Sequence, residues 1–90
     1  MNNYKVSLTK IRKEVDDYNQ NFETKYYSDK KHFLYIDLGS KLQSYDKKMK
    51  VANNSAYSLV DRIKARIDAK KTKKTILKTY INDGSLYGDY

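Results

Sequence analysis

The side chains in this chain best suited to chemistry are its cations. Between Arg62 and Lys78 the sequence sets Arg62, Lys64, Arg66, Lys70, Lys71, Lys73, Lys74 and Lys78 against one acid, Asp68. The imbalance is local: residues 1–45 hold eight basic and six acidic side chains, residues 46–90 eleven and five. Such a cluster raises the local potential and attracts phosphate, whether on nucleic acid or on an anionic membrane surface. The plainer reading is a solubilising face in a lysine-rich chain. Lysine greatly outnumbers arginine, and proteins that read base edges rely on arginine's planar fork. Sequence-specific DNA recognition is therefore disfavoured, whereas non-specific phosphate attraction is not.

Other reactive types are sparse. Cysteine is absent, which excludes disulfides, zinc-thiolate sites and thiol nucleophiles together. His32 is the one histidine and leaves no pair for a histidine-based metal site. It reads as a surface or packing histidine, able to make a pH-dependent contact. No Gly-rich phosphate loop and no Ser-His-Asp arrangement can be placed. Asp16 and Asp17 are neighbours, and neighbouring positions on a helix do not face each other. The expectation is a protein that is not an enzyme, with no cofactor and no metal.

Ninety residues make one domain, 1–90, and a chain this small buries only about 60% of its unfolded surface. Little is left for a large cleft. No run of roughly 18 apolar residues is present to cross a membrane, and the N-terminus, MNNYKVSLTK, has no apolar signal-peptide core. A small, basic, soluble, intracellular protein is expected. Proline is absent and glycine occurs only at positions 39, 84 and 88. An all-β chain needs many Gly- and Pro-rich turns; a helical one does not.

The elements that carry these residues follow from apolar spacing. Leu8, Ile11, Val15, Tyr18 and Phe22, at steps of 3, 4, 3 and 4, predict a helix over about 5–22, with Lys10, Arg12, Lys13, Glu14, Asp16 and Asp17 toward water. Ser28 or Asp29 caps a second helix over 29–51, with a stripe of Leu34, Leu38, Leu42, Tyr45 and Met49 widened by Phe33, Tyr35 and Ile36. His32 to Leu38 could pass as a buried strand, but the helical period continues beyond Gly39. Asn53-Asn54-Ser55 breaks the pattern and caps a third helix over 55–70, with Ala56, Leu59, Val60, Ile63 and Ile67 as its stripe; Ser58 and Asp61 give a second capping-box spacing. Beyond Lys70-Lys71, residues Ile76, Leu77, Tyr80 and Ile81 form either a short fourth helix starting near Thr72 or Thr75, or a continuation of the third. Asn82-Asp83-Gly84 ends it. Helices over about 5–22, 29–51, 55–70 and 72–82, joined by short connections, imply an all-α antiparallel four-helix bundle with a short flexible C-terminal tail, 83–90.

Among the tyrosines, Tyr18, Tyr45 and Tyr80 fall on apolar stripes and read as core. Tyr26, Tyr27, Tyr87 and Tyr90 lie in connections or the tail. Exposed aromatics beside positive charge can stack on bases or anchor a protein interface. Leu86, Tyr87 and Tyr90, on a loose tail, suit the second role better.

Several pieces then stand in a recognisable order. Tyr27-Ser28-Asp29 opens an apolar helix, Lys41-Leu42 lies further along it, and Leu59-Val60-Asp61-Arg62-Ile63 opens the next. Gly84-Ser85-Leu86-Tyr87-Gly88-Asp89-Tyr90 closes the sequence. Together, over about residues 27–90, they resemble the immunity proteins of pediocin-like (class IIa) bacteriocins, the enterocin A immunity type; the first helix agrees in character only. The connection Asn53-Asn54-Ser55 lacks the proline common there, and the region after Ile63 is short for a full fourth helix.

The resemblance implies a cytoplasmic antiparallel four-helix bundle, possible also as a peripheral protein at the inner membrane face, that protects a producer cell from its own bacteriocin. Such proteins do not bind the free peptide strongly. They recognise the membrane receptor, the mannose phosphotransferase permease, once bacteriocin has engaged it, and block the pore from inside. The C-terminal half is the part associated with choice of bacteriocin. On this chain Lys70, Lys71, Lys73, Lys74 and Lys78 would attract the receptor or an anionic membrane surface, and Leu86, Tyr87 and Tyr90 would anchor it. The alternative expectation is a small basic nucleic-acid-binding protein of a phage or mobile element. A partner-binding inhibitor bundle of another target is a third.

Overall fold

The computed structural model describes residues 7–84. Three α-helices fill most of this span: α1, Leu8–Asn21; α2, Asp29–Ala52; and α3, Leu59–Thr79, which runs on into a π-helical turn, Tyr80–Gly84. Among the described residues there is no strand, so His32 to Leu38 is helical as expected. Leu86, Tyr87 and Tyr90 lie outside the described residues.

Each helix starts on a serine. The Oγ atoms of Ser7, Ser28 and Ser58 accept from the backbone N–H of Lys10, Lys31 and Asp61 at 3.3, 3.3 and 3.2 Å, which satisfies one of the free first-turn donors in each case. Ser28, not Asp29, is thus the cap of α2. The third helix starts later than expected. Asn54 Oδ1 accepts from the N–H of Ala56 at 2.9 Å, and its carbonyl accepts from Tyr57 at 3.1 Å. That local asparagine turn competes with helix, and Ser58 becomes the cap.

Of the two expectations for the region past Lys71, the continuation of the third helix is the one observed, and a separate helix over 72–82 is not. No glycine, proline or capping turn lies between Ile67 and Thr79, so nothing stops the backbone ladder, and what was read as helices 55–70 and 72–82 is one helix. Asn82-Asp83-Gly84, expected as a stop, instead belongs to the π-helical turn.

The core is Ile11 and Val15 from α1, Leu34, Leu38 and Leu42 from α2, and Ile76 from α3, with Leu8, Tyr35, Tyr45, Leu77 and Tyr80 packed around it. Most of the stripes expected for α1 and α2 therefore supply the interior, but Phe22, at the C-cap of α1, is 46% exposed and Met49 is only half-buried, outside the core cluster. Two widening residues do not: Phe33 and Ile36 are 72% and 60% exposed, because they point away from both neighbouring helices. Polar pairs fix the register. Arg12 meets Asp46, and Tyr18 meets His32, so α1 runs antiparallel along residues 32–46 of α2. Lys48 Nζ reaches Thr72 Oγ1 at 3.0 Å, setting α3 antiparallel to α2.

Helix lengths then decide what stays uncovered. At about 1.5 Å per residue, α1 is roughly 21 Å long, while α3 is roughly 31 Å. α1, as described from Leu8, reaches about one turn beyond the Arg12–Asp46 pair, short of the end of α2 at Ala52.

Candidate docking surface

Helix α3 presents apolar residues on two opposite sides. Ala65, Ala69 and Ile76 are buried, with Ile76 at 0% exposure. With about 3.6 residues per turn these three share one side, toward α2. Alanine at positions 65 and 69 leaves room for the two backbones to approach closely, and Ile76 fills the space toward the core. The residues expected to be buried point the other way: Leu59 is 67% exposed, Val60 60%, Ile63 46% and Ile67 49%, and Ala56 is exposed too. The expected stripe is a surface. A single helix cannot bury both sides without a second neighbour, and among the described residues Leu59, Val60, Ile63 and Ile67 stay exposed.

Lys70, Lys71, Lys73, Lys74 and Lys78 are all exposed along the same helix. Among the described residues none of them takes part in an ion pair. The arginines, by contrast, have structural work. Arg62 Nε and an Arg66 terminal nitrogen each approach the Ala52 carbonyl at 3.4 Å, supplying donors to the C-terminal end of α2, where carbonyls lack helical partners. Arg12 forms a two-pronged pair with Asp46, at 2.8 and 3.0 Å; that hydrogen bonding raises its pKa above the ordinary value. Arg62 and Arg66 keep their charge with part of their donor set committed to Ala52, whereas the five lysines carry no ion pair among the described residues.

Polar chemistry is concentrated at the other end of the molecule. Glu14, expected to face water, turns inward: Oε1 accepts from the Tyr35 hydroxyl at 3.3 Å and Oε2 from the Tyr80 hydroxyl at 2.5 Å. One carboxylate thus ties α1 to α2 and to the π-helical turn. Burial, reinforced by the nearby Glu14, pushes the Tyr35 hydroxyl from the usual 10.0 up to about 12; the same causes raise Tyr80 further. His32 Nδ1 shares a 2.5 Å hydrogen bond with the buried Tyr18 hydroxyl. Rings of Tyr18, Tyr27, His32 and Tyr35 contact one another edge-on or stacked, with centroids 5.0–6.1 Å apart. Tyr18 is core as expected, and Tyr45 and Tyr80 lie half-buried against it. Tyr27 joins them, whereas Tyr26 is exposed. These groups satisfy each other, and His32 has a packing role within them.

The outward row Leu59, Ile63, Ile67 was read as interior, so its availability for a partner was missed. A signal was present in Ala65, Ala69, Thr72 and Ile76, at steps of 4, 3 and 4: a second helical stripe, made of smaller residues, on the opposite side. Among the described residues no helix is long and apolar enough to cross a membrane, and no group of three or more His, Asp or Glu side chains could hold a metal ion. Compared with protein-family models, with curated proteins and with solved structures, the chain matches none of them.

Proposed function

We propose that this chain is an immunity protein against a pediocin-like bacteriocin, acting from the cytoplasmic side by docking on the bacteriocin-engaged mannose phosphotransferase permease. One observation carries the reading. The C-terminal half, which the resemblance associates with bacteriocin choice, holds a helix whose outward side is both apolar and lysine-rich. Desolvated apolar anchors ringed by charge are what a protein-docking surface needs. Lys70, Lys71, Lys73, Lys74 and Lys78 supply attraction, and Leu86, Tyr87 and Tyr90 supply the terminal anchor. The fourth helix implied by the resemblance corresponds here to the last turns of α3 and the π-helical turn after it. A nucleic-acid reading uses the same lysines but leaves the apolar row unexplained.

Expression in a bacteriocin-sensitive strain tests the proposal. Protection against at least one member of a panel of pediocin-like peptides is expected. Survival equal to an empty vector across the panel refutes it. Removing residues 85–90 should abolish protection while leaving helicity intact; full protection by the shortened chain overturns the anchor assignment.

A further inference from the structure

The turn between α2 and α3 holds a side chain placed to react with its own backbone. Asn54 is exposed, and its Oδ1 accepts from the Ala56 N–H at 2.9 Å. Closing that ring carries Cγ past the nitrogen in between, the amide of Ser55. The Ser55 N–H makes no hydrogen bond among the described residues, so no partner holds it away from the carbon. The geometry points to Asn54 as a site of spontaneous deamidation, in which its side-chain amide becomes a carboxylate.

Water is the one co-reactant. The Ser55 nitrogen gives its proton to solvent and attacks Asn54 Cγ with the electron pair left behind. The Cγ–Nδ2 bond then breaks, and the leaving nitrogen takes a proton back and departs as ammonia. Water opens the resulting five-membered succinimide at either carbonyl, giving aspartate or isoaspartate at position 54. Negative charge develops on Oδ1 during the attack, where the Ala56 N–H already points, and a donor aimed at a developing oxyanion speeds acyl transfer. Held proximity of the reacting atoms acts in the same direction.

The other described asparagines lack this arrangement. Asn53 is followed by the Asn54 N–H, which donates to the Val51 carbonyl at 3.2 Å. Asn21 turns its Nδ2 back to the Asp17 carbonyl at 2.8 Å. Asn19 and Asn82 lie in helical backbone, whose ladder resists the rotation that ring closure needs. The two products act differently on the fold. Aspartate keeps an acceptor for the Ala56 N–H and sets a negative charge before the start of α3, the end of a helix that favours it. Isoaspartate adds a methylene to the main chain and takes that acceptor off the turn. None of this rests on the immunity reading, since neither the lysines nor the terminal anchor takes part.

Incubation of the full chain at neutral and at mildly alkaline pH, followed by peptide mass spectrometry, is the test. Asn54 should convert first among the described asparagines, roughly tenfold or more ahead of Asn53. The rate should rise with pH, because the nucleophile is a deprotonated amide, and isoaspartate should appear beside aspartate. In the chain unfolded by guanidinium chloride the lead of Asn54 over Asn53 should shrink, since the turn that creates it is gone. Ser55→Pro removes the attacking N–H without breaking a hydrogen bond, and should stop the conversion with helicity unchanged by circular dichroism. Three results overturn the assignment: Asn53 keeping pace with Asn54 in the folded chain, a lead that is the same folded and unfolded, or a conversion rate independent of pH.

Discussion

Gly39 lies in the interior of α2, opposite α1, where a methyl group can be added with a calculable result. A Cβ built at this position would meet Val15 Cγ1 at 3.5 Å, an ordinary van der Waals contact. Two contributions then have the same sign. Glycine in a helix interior is about 1 kcal/mol less favourable than alanine, partly through the freedom it retains in the unfolded chain. The new methyl group also gains contact with Val15 instead of clashing. Gly39→Ala should therefore stabilise the protein by about 0.5–1 kcal/mol. For a domain of this size each kcal/mol moves the melting temperature by about 4–8 °C, so a rise of several degrees is expected in thermal unfolding followed by far-UV circular dichroism. Gly39→Leu supplies the counter-measurement. Its larger side chain must either displace Val15, an overpacking that costs about 1–3 kcal/mol, or turn into the groove that Gly39 and Val15 line with Arg12, Gln43 and Asp46. A fall in stability for Gly39→Ala would mean that α1 lies closer to α2 than this geometry allows. Equal tolerance of leucine would mean that the side chain enters that groove and leaves Val15 in place.

Two further outcomes separate the parts of the fold. On α3, Ile76→Ala should cost about 2–5 kcal/mol in urea unfolding, because Ile76 is fully buried, whereas Ile63→Ala should stay within about 0.5 kcal/mol; similar losses at both would place the outward face inside the core. The tyrosines predict alkaline behaviour. Tyr35 titrates near 10.0 when unfolded and at about 12 when folded, so the folded chain holds the proton more tightly. Its contribution is fully present below pH 10 and is lost as pH rises through 12, with Tyr80 adding in the same direction. Replacing both by phenylalanine should flatten this part of the stability profile measured by denaturant melts at stepped pH; an unchanged alkaline slope would remove Glu14, Tyr35 and Tyr80 from that role.

The first two helices could be read from spacing because each has one dominant apolar stripe. Ile11, Val15 and Tyr18 have no competing apolar side on α1, and Leu34, Leu38 and Leu42 repeat at steps of four, close enough to the helical period to stay on one side of α2. Helix α3 was ambiguous for the opposite reason. Leu59, Ile63 and Ile67 form a larger and more obvious stripe than Ala65, Ala69 and Ile76, yet the smaller one is buried. Hydrophobicity ranks side chains by what they gain on burial, not by whether a neighbour is available. Availability was set by the short reach of α1 and by the close approach that alanines permit. Glu14 was equally hidden, since a carboxylate on a helix flank normally faces water, and two phenol groups distant in sequence had to arrive before it could turn inward.

Composition and periodicity alone established an all-helical chain, most of the stripes of α1 and α2, and the lysine excess in the C-terminal half. These depend on local backbone preference and on side chains within a few turns, which a linear reading contains. Which side of α3 is interior, and whether its apolar row is exposed among the described residues, were settled by packing. Each depends on where one helix ends relative to another, a distance fixed only once all three lie together.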